Sequence, residues 1–361
     1  MGALDGLRIV EMDAIGPVPL AGGLLADMGA DIIRIARVGG QAAYDDLGEA
    51  ILHRGRPGIE LDLKTDGGRE TALELISTAD ALIEGFRPGV MERLGLGPDV
   101  CLARNPGLVY ARMTGWGQTG PRAARAGHDI NYIAIAGALG LMGAPDRPPE
   151  PPLNLVGDYG GGALFLALGV MAGVHAAQRT GRGQTVDVAM TDGTARLLSL
   201  FVSLSQTGAW TSERGANLLD GGAPFYRCYA CADCRHVAVG ALEPQFFASL
   251  LAGLGLPDRA FVQYDRACWP AMRDRFEEIF AGRTRDDWNG IFAQTDACVT
   301  PVLSLEEAMA DAHNRARATY APFEGLAQPG PAPRFEITKS SLRPASIIDA
   351  ETALARWKGP A

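Results

Sequence analysis

Two segments of this chain concentrate groups that could move protons. Gly127-His128-Asp129-Ile130-Asn131-Tyr132 sets an imidazole, a carboxylate, an amide and a phenol within six residues. Asn154-Leu155-Val156-Gly157-Asp158-Tyr159-Gly160-Gly161-Gly162 places one carboxylate ahead of an uncharged stretch rich in glycine. An imidazole titrates at about 6.5 in water, so it exchanges protons near neutral pH. Asp158 falls at or near the start of a predicted helix, whose dipole favours an ionised carboxylate. The glycines there let a ligand come close to backbone amides. Each segment also has a plain structural reading, His128 as a surface or capping residue and Asp158 as an N-cap. Neighbouring His128 and Asp129 diverge on a strand or a helix alike, so they need not form a pair.

Three other patterns invite chemistry. Gly115-Trp116-Gly117-Gln118-Thr119-Gly120 has the spacing of a dinucleotide fingerprint. That fingerprint must open a helix, whereas Pro121 and a polar stretch follow here, so a glycine-rich loop is expected. Cys228, Cys231 and Cys234 fall along a predicted hairpin, where side chains alternate between faces. One short hairpin rarely wraps a tetrahedral ion, so no metal is expected and one packed thiol with two partly exposed ones is. Arg34, Arg37, Arg54, Arg56, Lys64, Arg87 and Arg93 form a basic group that reads either as a solvated face or as an anion site for phosphates.

The elements that carry these groups alternate between strand and helix. Strands are predicted at Leu7–Met12, Asp31–Ala36, Ile59–Leu63, Ala81–Glu84, Leu108–Thr114 and Gln184–Met190. Helices are predicted at Pro17–Met28, Gly67–Thr78, Asp158–Gln178 and Ala195–Gln206. Strands spaced by helix-length segments imply a parallel sheet with crossover helices, an α/β fold. After about residue 215 the texture changes to a hairpin (Phe225–Tyr229 with His236–Gly240) and amphipathic helices, among them one opened by the capping box Ser304-x-x-Glu307. The prolines of 322–344 suggest a stiff extended linker. The expected division is a large domain over 1–190, a linking helix over 191–212, a small α+β domain over 213–312, a linker over 313–345 and a C-terminal helix over 346–361 returning to the large domain.

Composition bounds the partners. With 47% apolar and 21% charged residues the chain is of ordinary globular type. A net charge of −9 and no basic domain argue against a nucleic-acid partner. Six cysteines in 361 residues are no disulfide framework. With no signal-peptide or lipidation pattern, a cytoplasmic location with reduced thiols is expected. Tyr159–Gln178 lacks Asp, Glu, Lys and Arg and is long enough to span a bilayer. Its five glycines and His175 favour a buried helix, with no membrane partner expected.

Several stretches resemble the α-methylacyl-CoA racemases within the family III CoA-transferase superfamily. They are RPGVMERLGLGP (87–98), YARMTGWGQTGP (110–121), AGHDINYIAIAG (126–137), PPLNLVGDYGGG (151–162), RGANLLDGGAPFY (214–226), VAVGALEPQFF (237–247) and TDACVTPVLSLEE (295–307). The resemblance implies a large domain with a Rossmann-like sheet that binds CoA without NAD, a smaller α+β domain and an interlocked homodimer. It implies His128 and Asp158 as the two catalytic bases and Glu243 as a carboxylate supporting the histidine. It implies ligand contacts from Arg37, from Leu61, Asp62, Leu63 and Lys64, and from Gly127, Asp129, Ile130, Asn131 and Tyr132. The chain departs from the pattern at Cys234, where a turn glycine is usual, and at Pro57, before the third strand.

The implied reaction interconverts (2R)- and (2S)-2-methylacyl-CoA thioesters through an enolate. One base removes the α-proton and the other returns a proton to the opposite face. A thioester α-carbon is about a dozen pKa units less acidic than imidazolium, so the site must offset roughly 16 kcal/mol. Backbone N–H groups near Asp129 or at the start of the glycine-rich helix are candidate donors to the enolate oxygen. No cofactor is needed, since coenzyme A is part of the substrate. The alternative is CoA transfer, with Asp158 as nucleophile forming a mixed anhydride. A second base is of no use to that reaction, which favours the racemase.

Overall fold

A computed structural model describes residues 1–40 and 46–358 of the chain. In chain order the elements begin β1 (Arg8–Met12), α1 (Pro17–Asp27), β2 (Asp31–Arg37), α2 (Asp46–Leu52), β3 (Gly58–Leu61), α3 (Asp66–Ser77) and β4 (Ala81–Glu84). They continue with α4 (Val90–Arg93), α5 (Pro98–Arg104), β5 (Val109–Thr114) and α6 (Asp129–Ile135). A π-helix (Leu155–Ala163) then runs directly into α7 (Leu164–Thr180), followed by β6 (Gln184–Ala189), α8 (Met190–Leu197) and α9 (Ser199–Gln206). The remainder comprises β7 (Tyr226–Ala230), β8 (His236–Gly240), α10 (Pro244–Gly253), α11 (Trp269–Phe280), α12 (Arg285–Phe292), β9 (Val299–Pro301) and α13 (Leu305–Ala310). Last come α14 (Ala312–Ala316), β10 (Tyr320–Phe323), β11 (Leu326–Pro329) and α15 (Ala350–Trp357). Two compact units result. One holds Met1–Ala138, Pro152–Ser199 and the chain from His313 onward, and the other holds Leu139–Pro151 and Leu200–Ala312.

The larger unit is built on a six-stranded sheet of order β3-β2-β1-β4-β5-β6, parallel throughout. This is the doubly wound order, in which the strand sequence reverses between β1 and β4. Alternate strand residues feed two cores. Ile9, Ile32, Ile83 and Val109 pack with Val18 and Leu25 of α1 and Leu166 and Val170 of α7. Val10, Ile33, Leu82 and Tyr110 pack with Leu75 and Ile76 of α3 and Trp357 of α15. A parallel sheet covered on both faces has no solvated side for charge. Its buried charged strand residues are therefore paired. Glu11 of β1 meets Arg56, both fully buried, and Arg112 of β5 lies 2.9 Å from Glu84 of β4. Pro57, just before β3, does not interrupt the ladder, since its carbonyl accepts the Arg34 N–H at 2.9 Å.

The smaller unit is an antiparallel sheet, β7-β8-β9, over an aromatic core. Tyr229 stacks on Phe280 with ring centroids 4.9 Å apart, and Phe225, Phe247, Trp269 and Phe276 pack around them. The Ser304–Glu307 capping box forms at α13, with the Glu307 N–H donating to Ser304 Oγ at 3.1 Å. Cys231 is buried while Cys228 and Cys234 are exposed. Among the described residues no group of three or more His, Cys, Asp or Glu is placed to hold a metal ion.

Three expectations are corrected. Ala195–Gln206 is not one helix but parts of α8 and α9, broken at Leu198, whose N–H is shared between the Thr194 and Ala195 carbonyls. The proline-bearing stretch 322–344 is not wholly an extended linker. β10 and β11 pair antiparallel around Glu324 and Gly325, which both take positive φ (51° and 78°), as a two-residue hairpin turn demands. The apolar helix is buried along one face only, with Leu166, Val170 and Val174 in the core and Leu164 and Leu168 exposed. Leu155–Thr180 is long and apolar enough by length and composition to cross a membrane. The tail end of the predicted C-terminal segment, 359–361, lies outside the described residues.

Candidate active site

The carboxyl ends of the strands open into two cavities of the larger unit. One encloses about 360 Å³ beyond β1, β4, β5 and β6. Its wall takes Gly16 and Pro17 from the β1–α1 loop, Phe86 and Arg87 from the β4–α4 loop, and Trp116 from the loop after β5. Gly127, His128, Tyr132, Asn154 and Asp158 complete it. The other encloses about 260 Å³ beyond β1, β2 and β3. It has an apolar lining that includes Ile35, Leu61, Leu63, Val90 and Leu94, with the exposed Arg37 and Lys64 also on its wall. Open α/β sheets bind ligands at this edge, where the strand order reverses.

Each reactive side chain is set by a local feature. His128 is the N-cap of α6, extended at φ −132° and exposed, and its N–H donates to Asn131 Oδ1 at 3.0 Å. Asp158 sits in the π-helix, half-buried. π-helical turns are uncommon and collect at functional sites. Asn154 Nδ2 donates to Asp158 Oδ2 at 3.1 Å, and the Asp158 N–H donates to Asp129 Oδ1 at 2.7 Å. Gly16 faces the carboxyl. It has φ +71°, which favours glycine, and a Cβ there would lie 3.1 Å from Asp158 Oδ2 and press on the carboxyl. Tyr132 donates its O–H to the Gly127 carbonyl and meets Trp116 edge-on, ring centroids 4.8 Å apart.

Electrostatics distinguish Asp158. Burial raises its pKa from the ordinary aspartate value. The Asn154 hydrogen bond and nearby His128 oppose that rise, and the Asp129 charge adds to it. Burial also pushes the Tyr132 phenol up. It therefore stays neutral at working pH.

The sequence-derived residues separate into groups. His128, Asp158, Gly127 and Tyr132 share the first cavity. Arg37, Leu61, Asp62, Leu63 and Lys64 share the second. Asp129 is buried behind Asp158, and Ile130 and Asn131 are exposed on α6 and line neither cavity. Glu243 belongs to the smaller unit, exposed at the N-cap of α10.

The basic group does not act as one anion site. Arg34 pairs with Asp13 at 2.7 Å, Arg54 with Asp27 at 2.6 Å and Arg56 with Glu11, all three guanidiniums being buried. Arg37, Lys64, Arg87 and Arg93 remain exposed. Gly16, Trp116 and Asn154 were not recognised as site residues. The signal for Gly16 is the Gly-Pro step between β1 and α1, a left-handed residue before a helix-opening proline.

The chain is 46% identical over 337 residues to the alpha-methylacyl-CoA racemase of Mus musculus, covering 93% of this chain and 87% of that one. It is 43% identical over 333 residues to the alpha-methylacyl-CoA racemase of Homo sapiens, covering 92% and 86%. The crystal structure of a CAIB/BAIF family protein from Brucella suis superposes with a TM-score of 0.85 at 26% identity, covering 98% of each chain. The sequence model of CoA-transferase family III matches residues 4–348, and the chain belongs to that family.

Proposed function

We propose that this protein is a racemase that interconverts the two epimers of a 2-methylacyl-CoA by a 1,1-proton transfer through an enolate. One observation carries the reading. His128 and Asp158, thirty positions apart in the chain, line one cavity at the strand-order reversal. A proton taken by one group and returned by the other inverts the carbon between them. The raised pKa of Asp158 supports its half of the exchange, because a carboxyl that holds its proton more tightly is a better acid-base partner for an imidazole near neutrality.

Backbone N–H groups at the start of α6, beginning with Asp129, are the proposed donors to the enolate oxygen. The second cavity suits the remainder of the thioester. Its apolar lining fits an adenine ring, and Arg37 and Lys64 fit phosphates. Glu243 is assigned the support of His128 on the family pattern alone. A homodimer is proposed, supported by the exposed row of Leu155, Leu164 and Leu168. The protein is taken to be cytoplasmic, to span no membrane and to need no cofactor beyond the substrate's own coenzyme A. The alternative is CoA transfer with Asp158 as nucleophile, favoured by the accessible carboxyl in the first cavity.

Incubating one 2-methylacyl-CoA epimer in D2O with no carboxylic acid acceptor tests the reading. α-Deuterium incorporation with loss of configuration is expected. Reaction only after an acceptor acid is added would establish the transferase instead.

A further inference from the structure

We infer that Asp129 is a positioning residue, whose carboxylate fixes Asp158 from behind the cavity. The inference rests on the proposed proton transfer and concerns how one of its two bases is held. Asp129 is 7% exposed and its side chain takes no part in the cavity wall. Its Oδ1 accepts the Asp158 N–H at 2.7 Å. The surrounding turn explains why that N–H is free to be taken. In a π-helix each amide reaches back five residues, as Tyr159 N–H does to the Asn154 carbonyl at 3.3 Å. Asp158 lies in the first turn, where the carbonyl five back, that of Leu153, precedes the helix, so its amide is left for Asp129 of α6 to take. Gly157 permits the approach, since a Cβ there would lie 2.4 Å from Asp129 Oδ1.

An asparagine could accept the same N–H, so the hydrogen bond alone does not call for a charge. Asp129 Oδ2 is buried and, among the described residues, accepts no hydrogen bond. The groups facing Asp158 are Asp129, His128 and Tyr132 from α6, the neutral Asn154 from its own helix and the Gly16 backbone from the β1–α1 loop. Arg87 reaches only the Tyr132 side. Asp129 is the carboxylate that makes ionising Asp158 harder.

Asp129→Asn keeps an acceptor and removes the charge. The limb of the pH profile that reports Asp158 should move to lower pH in both reaction directions, with the plateau rate falling only a few-fold. Asp129→Ala removes both, and kcat should fall by at least about tenfold with KM nearly unchanged. A profile of Asp129→Asn superimposable on the parent would overturn the inference. So would an Asp129→Ala variant whose KM rises at constant kcat, which would make the carboxylate a substrate contact. If Asp129→Ala does not fold, Asp129→Asn decides. A carboxyl ¹³C titration of Asp158, assigned against Asp158→Asn, reads the same shift without turnover. If the D2O exchange fails while this titration still moves, the racemase reading falls and the positioning stands. If the titration does not move, the positioning falls whatever the activity.

Discussion

Glu11 and Asp158 are both carboxyls whose pKa burial raises, and they have opposite surroundings. Glu11 lies in the middle of β1 with Arg56 against it, neither reachable by solvent. The guanidinium opposes the rise and is locked in place by a further bond to the Leu52 carbonyl. Asp158 faces a cavity with an amide, an imidazole and a like charge for neighbours and, among the described residues, no guanidinium against its oxygens. A carboxyl clamped to a guanidinium cannot exchange a proton with a ligand and serves as a strut. One left half-buried without that clamp can serve as a reagent. Glu84 with Arg112 repeats the first arrangement at the end of β4.

The largest expected effect falls on the reagent. His128→Ala and Asp158→Ala should each lower the racemisation rate by roughly 10²–10⁴-fold. Chiral analysis of the acyl-CoA after single-epimer incubation checks this, and full activity in either variant would remove that residue from the mechanism. Stability should change in the other direction. Because the folded-state pKa of Asp158 is raised, ionising it costs folding free energy. That cost is absent in acid, below the ordinary carboxylate pKa of about 3.9, and grows as pH rises through the raised value. Asp158→Asn should therefore unfold at higher denaturant than the parent at pH 7, and the difference should vanish below about pH 4. An Asp158→Asn chain that is less stable at neutral pH would contradict the proposed environment.

The strut should respond in stability first. Arg56→Met leaves Glu11 buried without its partner and should cost about 3–5 kcal/mol. The double variant Arg56→Met with Glu11→Leu should recover much of that loss, because two apolar side chains carry no desolvation penalty. Urea unfolding of the four chains gives the coupling directly. A near-zero coupling would mean that Glu11 and Arg56 are not the pair described.

A smaller effect is expected at the second cavity. Arg37→Ala and Lys64→Ala each remove an exposed cation and should raise KM for the acyl-CoA several-fold with kcat held, more at low salt than at high. A fall in kcat with KM unchanged would place these residues with the reagent.

How far sequence reaches follows the same contrast. The sheet was readable because parallel strands bury continuous apolar runs, and predicted bounds such as Ala81–Glu84 fall where β4 does. His128 and Asp158 stood out through the family resemblance of their two segments, and the fold brings them to one cavity. The fate of the arginines was not readable. Arg54 and Arg56 look as cationic in sequence as Arg37, and only the fold shows Asp27 and Glu11 waiting for them. The π-helix was equally hidden, since five-back hydrogen bonding leaves no residue period that differs reliably from an α-helix. The side chain of Asp129 turned away from the cavity because the Asp158 amide captures it, a tertiary contact across 29 positions.

The smallest prediction concerns a turn remote from either carboxyl, and it separates local strain from site chemistry. Between β7 and β8 the Cys231 N–H donates to the Arg235 carbonyl at 2.8 Å, and the Cys234 N–H donates to the Cys231 carbonyl at 3.0 Å. This is a three-residue hairpin loop whose last position is left-handed, and Cys234 occupies it with φ +61°. An L-residue pays roughly 1–2 kcal/mol there. Glycine avoids that cost but adds freedom to the unfolded chain worth about 0.4–1 kcal/mol. Cys234→Gly should therefore stabilise the small unit by the remainder, about 0.5–1 kcal/mol. Cys234→Ala keeps a Cβ and should leave stability unchanged, so the pair isolates the backbone from the loss of the thiol. Thermal unfolding of both resolves the difference. Equal gains in the two would move the cause from the backbone angle to the sulfur.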